Sequence, residues 1–173
     1  MLIELRKGMT LYPGTFNAVI APEKVMASAL TANADLQRFL YVSGRYSRLL
    51  SFIKRSAGNV EVRRACTARQ VFALLQEVRH TVVFLEHDPA VFDGADEMIP
   101  QVGGILRDIS RESLVVLYTP SVDRSFSLLM RHTDQFIEIP AANDLGGTTM
   151  YRCYHSLRYR EIVPYSQQVL EVS

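Results

Sequence analysis

The side chains best suited to chemistry in this 173-residue chain lie close together in the sequence, just after one apolar run. One histidine and four carboxylates fall within eleven residues: His87, Asp88, Asp93, Asp96 and Glu97. Imidazole and carboxylate groups bind divalent cations, but metal sites use characteristic ligand spacings, and none of these spacings is present. The stretch is therefore predicted to be an acidic, solvated loop, and no metal is expected.

The two cysteines are the next candidates. Cys66 and Cys153 are too few for a disulfide framework and do not have the spacing of metal ligands. His155 follows Cys153 by two residues, which in a strand places both side chains on one face. A buried cysteine beside a core or interface histidine is the usual form of such a pair, and it is predicted here in preference to a catalytic dyad.

The composition is that of a globular protein. The apolar fraction is 48%, the charged fraction is 21% and the formal net charge is +1. These values exclude an acidic disordered chain and a chain that binds nucleic acid through overall basicity. No window has the roughly 18 uninterrupted apolar residues of a membrane span, and the first residues do not resemble a signal peptide. One cytoplasmic domain over residues 1–173 is therefore expected.

The charge is distributed unevenly along the chain. Residues 38–79 carry nine basic and two acidic groups, a net of +7, whereas residues 80–112 carry two basic and seven acidic groups, a net of −5. Such blocks can attract an anion or the opposite block of a neighbouring subunit, or the arginines can simply solvate their own elements. The candidate surface for an anion, DNA or a partner consists of Arg45, Arg48, Arg55, Arg63, Arg64 and Arg69.

Strands and helices alternate in the hydrophobic pattern. Strands are predicted at residues 16–21, 38–43, 60–64, 81–85, 114–118 and 135–139. Helices are predicted after Pro22 and at residues 45–56, 67–78, 102–109 and 122–132. The alternation predicts an α/β fold of three layers, α/β/α, with a mostly parallel central sheet. Residues 148–156 and 167–172 are predicted to add a C-terminal β-hairpin.

Several short sequence segments, taken in order along the chain, resemble segments of the RecA superfamily, especially of its RadA/KaiC-like branch. Tyr41-Val42-Ser43-Gly44 resembles the second core strand of that family, which typically reads L-Y-V-S-G-E-E-S. Residues 82–86 are similar to the Walker B strand, and residues 115–118 are similar to the sensor strand. Residues 133–139 resemble the segment "ADxxIEL", and residues 152–158 resemble the closing hairpin. The resemblance runs from about Gly8 to the end of the sequence, and its specificity lies in the order and spacing of these segments.

The chain departs from the family at the phosphate-binding loop. The family binds ATP on G-x-x-x-x-G-K-[ST], whose backbone N–H groups surround the phosphates. Residues 20–26 contain no glycine, Pro22 has no N–H, Glu23 adds negative charge, and no serine or threonine follows Lys24. Lys24 is either a remnant phosphate contact or, more simply, a solvated lysine in the first turn of a helix.

The catalytic carboxylates depart as well. The paired glutamates that the family places after its second strand are absent from residues 43–47, and Glu86 replaces the Walker B aspartate. Glu86 is interpreted as a polar strand end, although it could reach a magnesium ion through water. The phosphate-binding loop, the paired glutamates and the Walker B aspartate, which together carry out ATP hydrolysis in the family, are all altered. The resemblance therefore predicts a pseudo-ATPase with no catalytic residues and no cofactor.

The resemblance also implies how such a module would act. RecA-family domains assemble side by side, so a homo-oligomer, or docking on an active RecA-family partner in DNA recombination or repair, is expected. Arg158 and Arg160 lie in the hairpin that reaches a neighbour's nucleotide in the KaiC branch, so they are interface or trans-acting candidates, or solvated charges. Two alternatives remain: a weak Mg-ATP binder using Lys24 and Glu86, and a DNA-binding accessory using the arginine-rich residues 45–69.

Overall fold

A computed structural model describes residues 3–6, 9–33, 38–53, 59–140 and 152–155 of the chain. The strands in these ranges are β1 (Ile3–Arg6), β2 (Met9–Leu11), β3 (Phe16–Ile20), β4 (Phe39–Ser43), β5 (Val60–Arg64), β6 (Val82–Glu86), β7 (Leu114–Thr119), β8 (Gln135–Glu138) and β9 (Arg152–His155). The helices are α1 (Glu23–Asn33), α2 (Ala68–Leu75), α3 (Pro89–Phe92), α4 (Ile99–Ser110) and α5 (Arg124–Met130). A 3-10 turn, Asp96–Met98, precedes α4.

The main sheet confirms the predicted parallel arrangement. Its strand order in the described residues is β5-β4-β6-β7-β3-β8-β9. Every neighbouring pair from β5 to β8 is parallel, and only β9 runs antiparallel to β8. Runs of apolar residues such as Val82–Glu86 form these inner strands because both of their faces are covered.

Helices and a hairpin cover the sheet on its two faces. Met26 and Leu30 of α1 pack with the β1–β2 hairpin on one face, against Tyr41, Phe84 and Tyr118. On the other face, α2, α4 and α5 supply Val71, Leu75, Val102, Leu106, Phe126 and Leu129. The fold is therefore the predicted three-layer α/β/α arrangement. No helix in the described part of the chain is long and apolar enough to span a membrane.

Most predicted elements are present, but the predicted helix at residues 45–56 is wrong over its described part. Residues 44–53 form a series of bends with turns at residues 50–52, where Phe52 N–H donates to the Leu49 carbonyl and Ile53 N–H to the Leu50 carbonyl. Leu49 and Ile53 are buried, as their spacing indicated, but Phe52 is 49% exposed and does not serve the core. The Leu50 N–H, which in a helix would donate to the Tyr46 carbonyl, donates instead to the Ser47 hydroxyl at 3.0 Å, and such side-chain bonds compete with the helical pattern.

Two further elements were not predicted from the pattern. The antiparallel hairpin β1–β2 packs on α1, and its strands are too short for a clear alternation. The short helix α3 begins at the cap formed by Asp88, whose side chain accepts the Ala90 N–H at 3.0 Å. Strand β9 lies within the first strand of the predicted C-terminal hairpin, and the second strand, residues 167–172, lies outside the described residues.

Candidate functional site

Four neighbouring strands end at one edge of the sheet. Because β4, β6, β7 and β3 are adjacent and parallel, the residues that follow them lie side by side. Open α/β sheets bind ligands at this carboxyl edge. The connections that meet there are residues 21–22, 44–50, 87–88 and 120–123, and the candidate residues among them are Arg45, Arg48, His87 and Asp88.

The connection between β3 and α1 is short and closed. Only Ala21 and Pro22 separate the strand from the helix. The Ala21 N–H donates to the Thr119 carbonyl at 3.3 Å, and the Ala21 carbonyl accepts the Tyr118 hydroxyl at 3.1 Å. Pro22 has no N–H, and its carbonyl accepts the N–H groups of Val25 and Met26. This connection therefore has its polar groups directed into the protein.

Glu86, the last residue of β6, is held by two donors. It is 5% exposed, and its Oε2 accepts the Tyr41 hydroxyl across the β4–β6 pair. Its Oε1 accepts the Arg48 backbone N–H at 2.9 Å. Glu86 is thus the side chain that fixes the turns after β4, and it does not contact Lys24.

Two tyrosines complete this buried network. Burial and the adjacent Glu86 raise the pKa of Tyr41 far above its usual range. Burial, followed by the charges of Glu23 and Glu86, likewise raises the pKa of Tyr118. Both phenols are therefore neutral hydrogen-bond donors at physiological pH. The Tyr41 oxygen also lies 3.1 Å from the Ser47 hydroxyl, which accepts the Leu50 N–H.

An ion pair joins the first turn of α1 to the turns after β4. Arg48 Nη1 lies 2.8 Å from Glu23 Oε1, and this hydrogen bond raises the pKa of the exposed guanidinium. Lys24 is exposed in the same turn. The structure therefore brings Glu23, Arg48 and Glu86 to one place, whereas the predicted pair Lys24 and Glu86 does not meet.

The group that a RecA-like fold implies here is ATP with magnesium, and the residues do not fit it. A phosphate cradle needs free backbone N–H groups in a glycine-rich loop. The two-residue connection at Ala21 and Pro22 offers one N–H, which is bonded to the Thr119 carbonyl. Glu23 and Glu86 would both oppose a phosphate, and the two oxygens of Glu86 already have donors.

A second polar cluster lies beside the first, and the sequence had not indicated it. His87 Nε2 lies 2.7 Å from Asp123 Oδ2 and 3.2 Å from the Ser125 hydroxyl. Asp123 also caps α5 by accepting the Phe126 N–H at 2.8 Å. The available signal was positional, because His87 and Asp123 follow neighbouring strands β6 and β7 and so meet at the carboxyl edge.

This cluster does not have the geometry of a nucleophilic triad. A triad needs the acid on one imidazole nitrogen and the hydroxyl on the other, but Asp123 and Ser125 both lie on Nε2. The His87 ring is stacked on Phe92 and meets the Phe126 edge, and its Nδ1 has no partner. Burial lowers the pKa of His87, although Asp123 opposes the shift. A neutral, structural imidazole is the result.

The acidic residues of the loop after β6 are separated by their partners. The Asp88 side chain packs against Gly44, where a Cβ would lie 2.1 Å from Asp88 Oδ2. Asp96 Oδ2 lies 2.7 Å from Arg124 Nη2. No group of three or more metal-ligating side chains occurs among the described residues.

The candidate arginine surface is exposed, but several of its members have protein partners. Arg48 pairs with Glu23, and Arg63 Nε pairs with the Glu61 carboxylate. Arg64 Nη1 lies 3.5 Å from the Arg45 carbonyl, and Arg69 is exposed on α2. Because β4 and β6 are neighbours, the basic turns after β4 lie beside the acidic loop within one chain. Arg55, Arg158 and Arg160 lie outside the described residues.

Of the two cysteines, the structure describes the side chain of Cys66. Cys66 is a free, exposed thiol whose backbone N–H donates to Gln70 Oε1 at 2.7 Å. Thr67 accepts the Gln70 N–H, as expected for the start of α2. The side chains of Cys153 and His155 lie outside the described part of the structure, so the predicted pair stays a prediction.

Comparisons with known proteins agree with the fold. No protein-family model matches the sequence. An uncharacterized protein of Archaeoglobus fulgidus is 34% identical over 129 residues, which are 74% of this chain and 66%, just under two thirds, of that protein. The crystal structure of a KaiC-like protein from the archaeon Pyrococcus horikoshii superposes with a TM-score of 0.60 at 10% identity, over 93% of this chain and 86% of the other. The chain therefore has a RecA-like fold of the KaiC-like type.

Proposed function

We propose that this chain is a non-catalytic RecA-like module, a pseudo-ATPase that acts by associating with itself or with an active RecA-family partner. The observation that carries the proposal is the closed connection after β3, in which Tyr118 and Thr119 occupy the polar groups of Ala21. The one N–H of this two-residue connection is thus bonded to a strand carbonyl, where an ATPase would present free N–H groups to phosphate.

The state of Glu86 supports the same conclusion. A Walker B carboxylate must be available to water or metal at the nucleotide, but Glu86 is buried and accepts Tyr41 and Arg48. Its contacts stabilise the turns after β4 instead. We therefore propose that Glu86 contributes to stability in this chain and takes part in no catalytic step.

The proposed process in which the chain acts is DNA recombination or repair, because the sequences of its strands resemble those of the RadA branch. RecA-like domains commonly work in assemblies, so a member without nucleotide chemistry retains association as its means of acting. The exposed arginines and the acidic loop would then contribute to protein contacts, and charge complementarity would set the association rate.

Calorimetric titration with Mg-ATP tests the pseudo-ATPase part of the proposal. We expect binding weaker than about 0.1 mM, which corresponds to roughly −5.5 kcal/mol. Binding tighter than that value, abolished by Lys24→Ala, would contradict the proposal and support the weak ATP-binding alternative. Lys24 is the suitable probe because it is exposed and its loss leaves the Glu86 network intact.

Association is tested separately, by affinity purification of the tagged chain from its native cells and by sedimentation of the pure protein. We expect a homo-oligomer, or the recovery of a RecA-family ATPase. A monomer that recovers no RecA-family protein would contradict the proposal. A gel shift with single-stranded DNA that is lost on reversal of Arg45 and Arg64 would support the DNA-binding alternative instead.

A further inference from the structure

Strand β5 is the outermost strand of the main sheet, and no described strand pairs with its outer edge. Val62, at its centre, is 43% exposed, which is unusual for a β-branched residue in a strand of this sheet. An exposed edge presents a row of N–H and C=O groups that another strand can bind.

The hydrogen-bond pattern identifies which groups face outward. Phe39 N–H donates to the Asn59 carbonyl, and Ala65 N–H donates to the Ser43 carbonyl. In a parallel ladder alternate residues bond to the neighbour, so the odd-numbered residues of this segment face β4. The N–H and C=O groups of Val60, Val62 and Arg64 therefore point away from the sheet.

The side chains of β5 are self-complementary in one register. Placing a second copy of the strand antiparallel, with Val62 opposite Val62, puts Glu61 opposite Arg63 twice, once on each side of the two-fold axis. In this register the outward-facing Val62 pair is hydrogen-bonded, so the Glu61–Arg63 pair is of the closer, non-hydrogen-bonded type. Glu61 and Arg63 already pair within one strand, and Glu61 Oε2 also lies 3.0 Å from His80 Nε2. The two side chains are nevertheless 41% and 59% exposed, so a second copy can reach both.

We propose that β5 is a homodimerisation edge that binds a second copy of this chain antiparallel about Val62, forming one continuous sheet across the dimer. The inference rests on the proposed function, in which the chain acts by association, and it names the surface and the partner. The interface of two short strands lies at the small end of specific interfaces, so a dissociation constant on the order of 10 µM is expected.

Charge reversal tests the register, with sedimentation equilibrium as the measurement. Glu61→Arg alone and Arg63→Glu alone each place like charges opposite one another and are expected to weaken the dimer about tenfold. The double variant E61R/R63E restores opposite charges and is expected to restore the wild-type constant. Arg131→Glu, which makes the same change in net charge as Arg63→Glu at an exposed position at the end of α5, is the matched control and leaves dimerisation unchanged.

A backbone variant and a cross-link make the test independent of charge. Val62→Pro removes an outward-facing N–H and leaves the ladder to β4, so it is expected to abolish the dimer while the circular dichroism spectrum is retained. In a background with both native cysteines replaced, Cys66→Ser and Cys153→Ser, Val62→Cys chains oxidised with diamide are expected to cross-link, since hydrogen-bonded pairs have Cα atoms about 5.5 Å apart. Arg64→Cys is the control, because in this register the two substituted positions are roughly 13 Å apart.

Four results overturn the inference, and they differ in their consequence for the proposed function. An oligomer that is insensitive to the β5 variants, or a monomer at about 100 µM that recovers a RecA-family partner, overturns the edge dimer but leaves the proposed function standing. A monomer that recovers no such partner overturns both. Cross-linking at Arg64→Cys as efficient as at Val62→Cys overturns the register and with it the inference.

Discussion

The backbone N–H of Arg48 donates to the carboxyl group of Glu86 at 2.9 Å, and this bond joins the turns after β4 to the end of β6. Glu86 also accepts the Tyr41 hydroxyl, so one buried side chain satisfies a backbone donor and a phenol. The Arg48 guanidinium in turn reaches Glu23 on α1. The carboxyl edge is thus bridged from β6 to α1 by the protein's own groups.

Removal of the Glu86 carboxyl group is expected to destabilise the fold. In Glu86→Ala the Tyr41 hydroxyl loses its buried acceptor and the Arg48 N–H loses its partner, so the free energy of unfolding is expected to fall by about 2–3 kcal/mol. Glu86→Gln keeps one acceptor oxygen and is expected to cost about half as much.

Urea denaturation measures both Glu86 variants, and Glu23→Ala is the control. Glu23 belongs to an ion pair whose side chains are 68% and 39% exposed, so its removal is expected to cost less than about 1 kcal/mol. A Glu86→Ala protein within about 0.5 kcal/mol of wild type would show that the network contributes little to stability.

Tyr118→Phe is expected to loosen the connection after β3. The substitution removes the hydroxyl that donates to the Ala21 carbonyl at 3.1 Å and changes little else in the aromatic stack with Phe84. A loss of about 0.5–1.5 kcal/mol is expected in urea denaturation, because the carbonyl is left without this donor. Tyr46→Phe is the matched control, since Tyr46 is 81% exposed; equal effects of the two substitutions would argue against a role for the bond.

The sheet could be predicted from the sequence because buried strands are continuous apolar runs, as in Val82–Glu86. Residues 45–53 could not, because the apolar spacing of Leu49 and Ile53 fits a helix equally well, and one partner of this segment, Glu86, is remote in sequence. The sequence indicated that residues 20–22 form no phosphate-binding loop, because residues 20–26 contain no glycine. The contact between His87 and Asp123 could not be foreseen without the adjacency of β6 and β7.

The two glycines of α4, Gly103 and Gly104, are expected to respond oppositely to substitution by alanine. A Cβ on Gly103 would lie 2.3 Å from His132 Cδ2, whereas a Cβ on Gly104 would meet nothing within 4 Å. Gly104→Ala is therefore expected to stabilise the fold by up to about 1 kcal/mol through helix propensity.

Gly103→Ala is expected to destabilise the fold by about 1–3 kcal/mol, because His132 must move. That residue is restrained by the Arg107 side chain, which donates to its carbonyl at 2.7 Å. Thermal and urea denaturation of the matched pair measure the difference. Equal stabilisation by both substitutions would show that the close contact at Gly103 is without consequence.

Stability is expected to fall as the pH is lowered from about 7 to about 5. Burial lowers the pKa of His87, and burial together with Arg107 lowers the pKa of His132. Above about pH 6.5, the ordinary value for an unfolded histidine, both states are neutral and the native state has its full stability. Below that value the unfolded chain takes up protons that the native chain does not, so the loss grows until the pH passes the lowered native pKa.

Urea denaturation across this range, compared with His87→Gln, tests the expectation. The variant is expected to show a shallower decline with falling pH, and the double variant H87Q/H132Q a shallower one still. Asp123 does not contribute to the decline in this pH range, because its hydrogen bonds hold its pKa below the usual value in spite of burial. Its protonation therefore destabilises the fold only at lower pH. A stability that rises towards pH 5, or an unchanged slope in both variants, would show that these buried imidazoles are not the titrating groups.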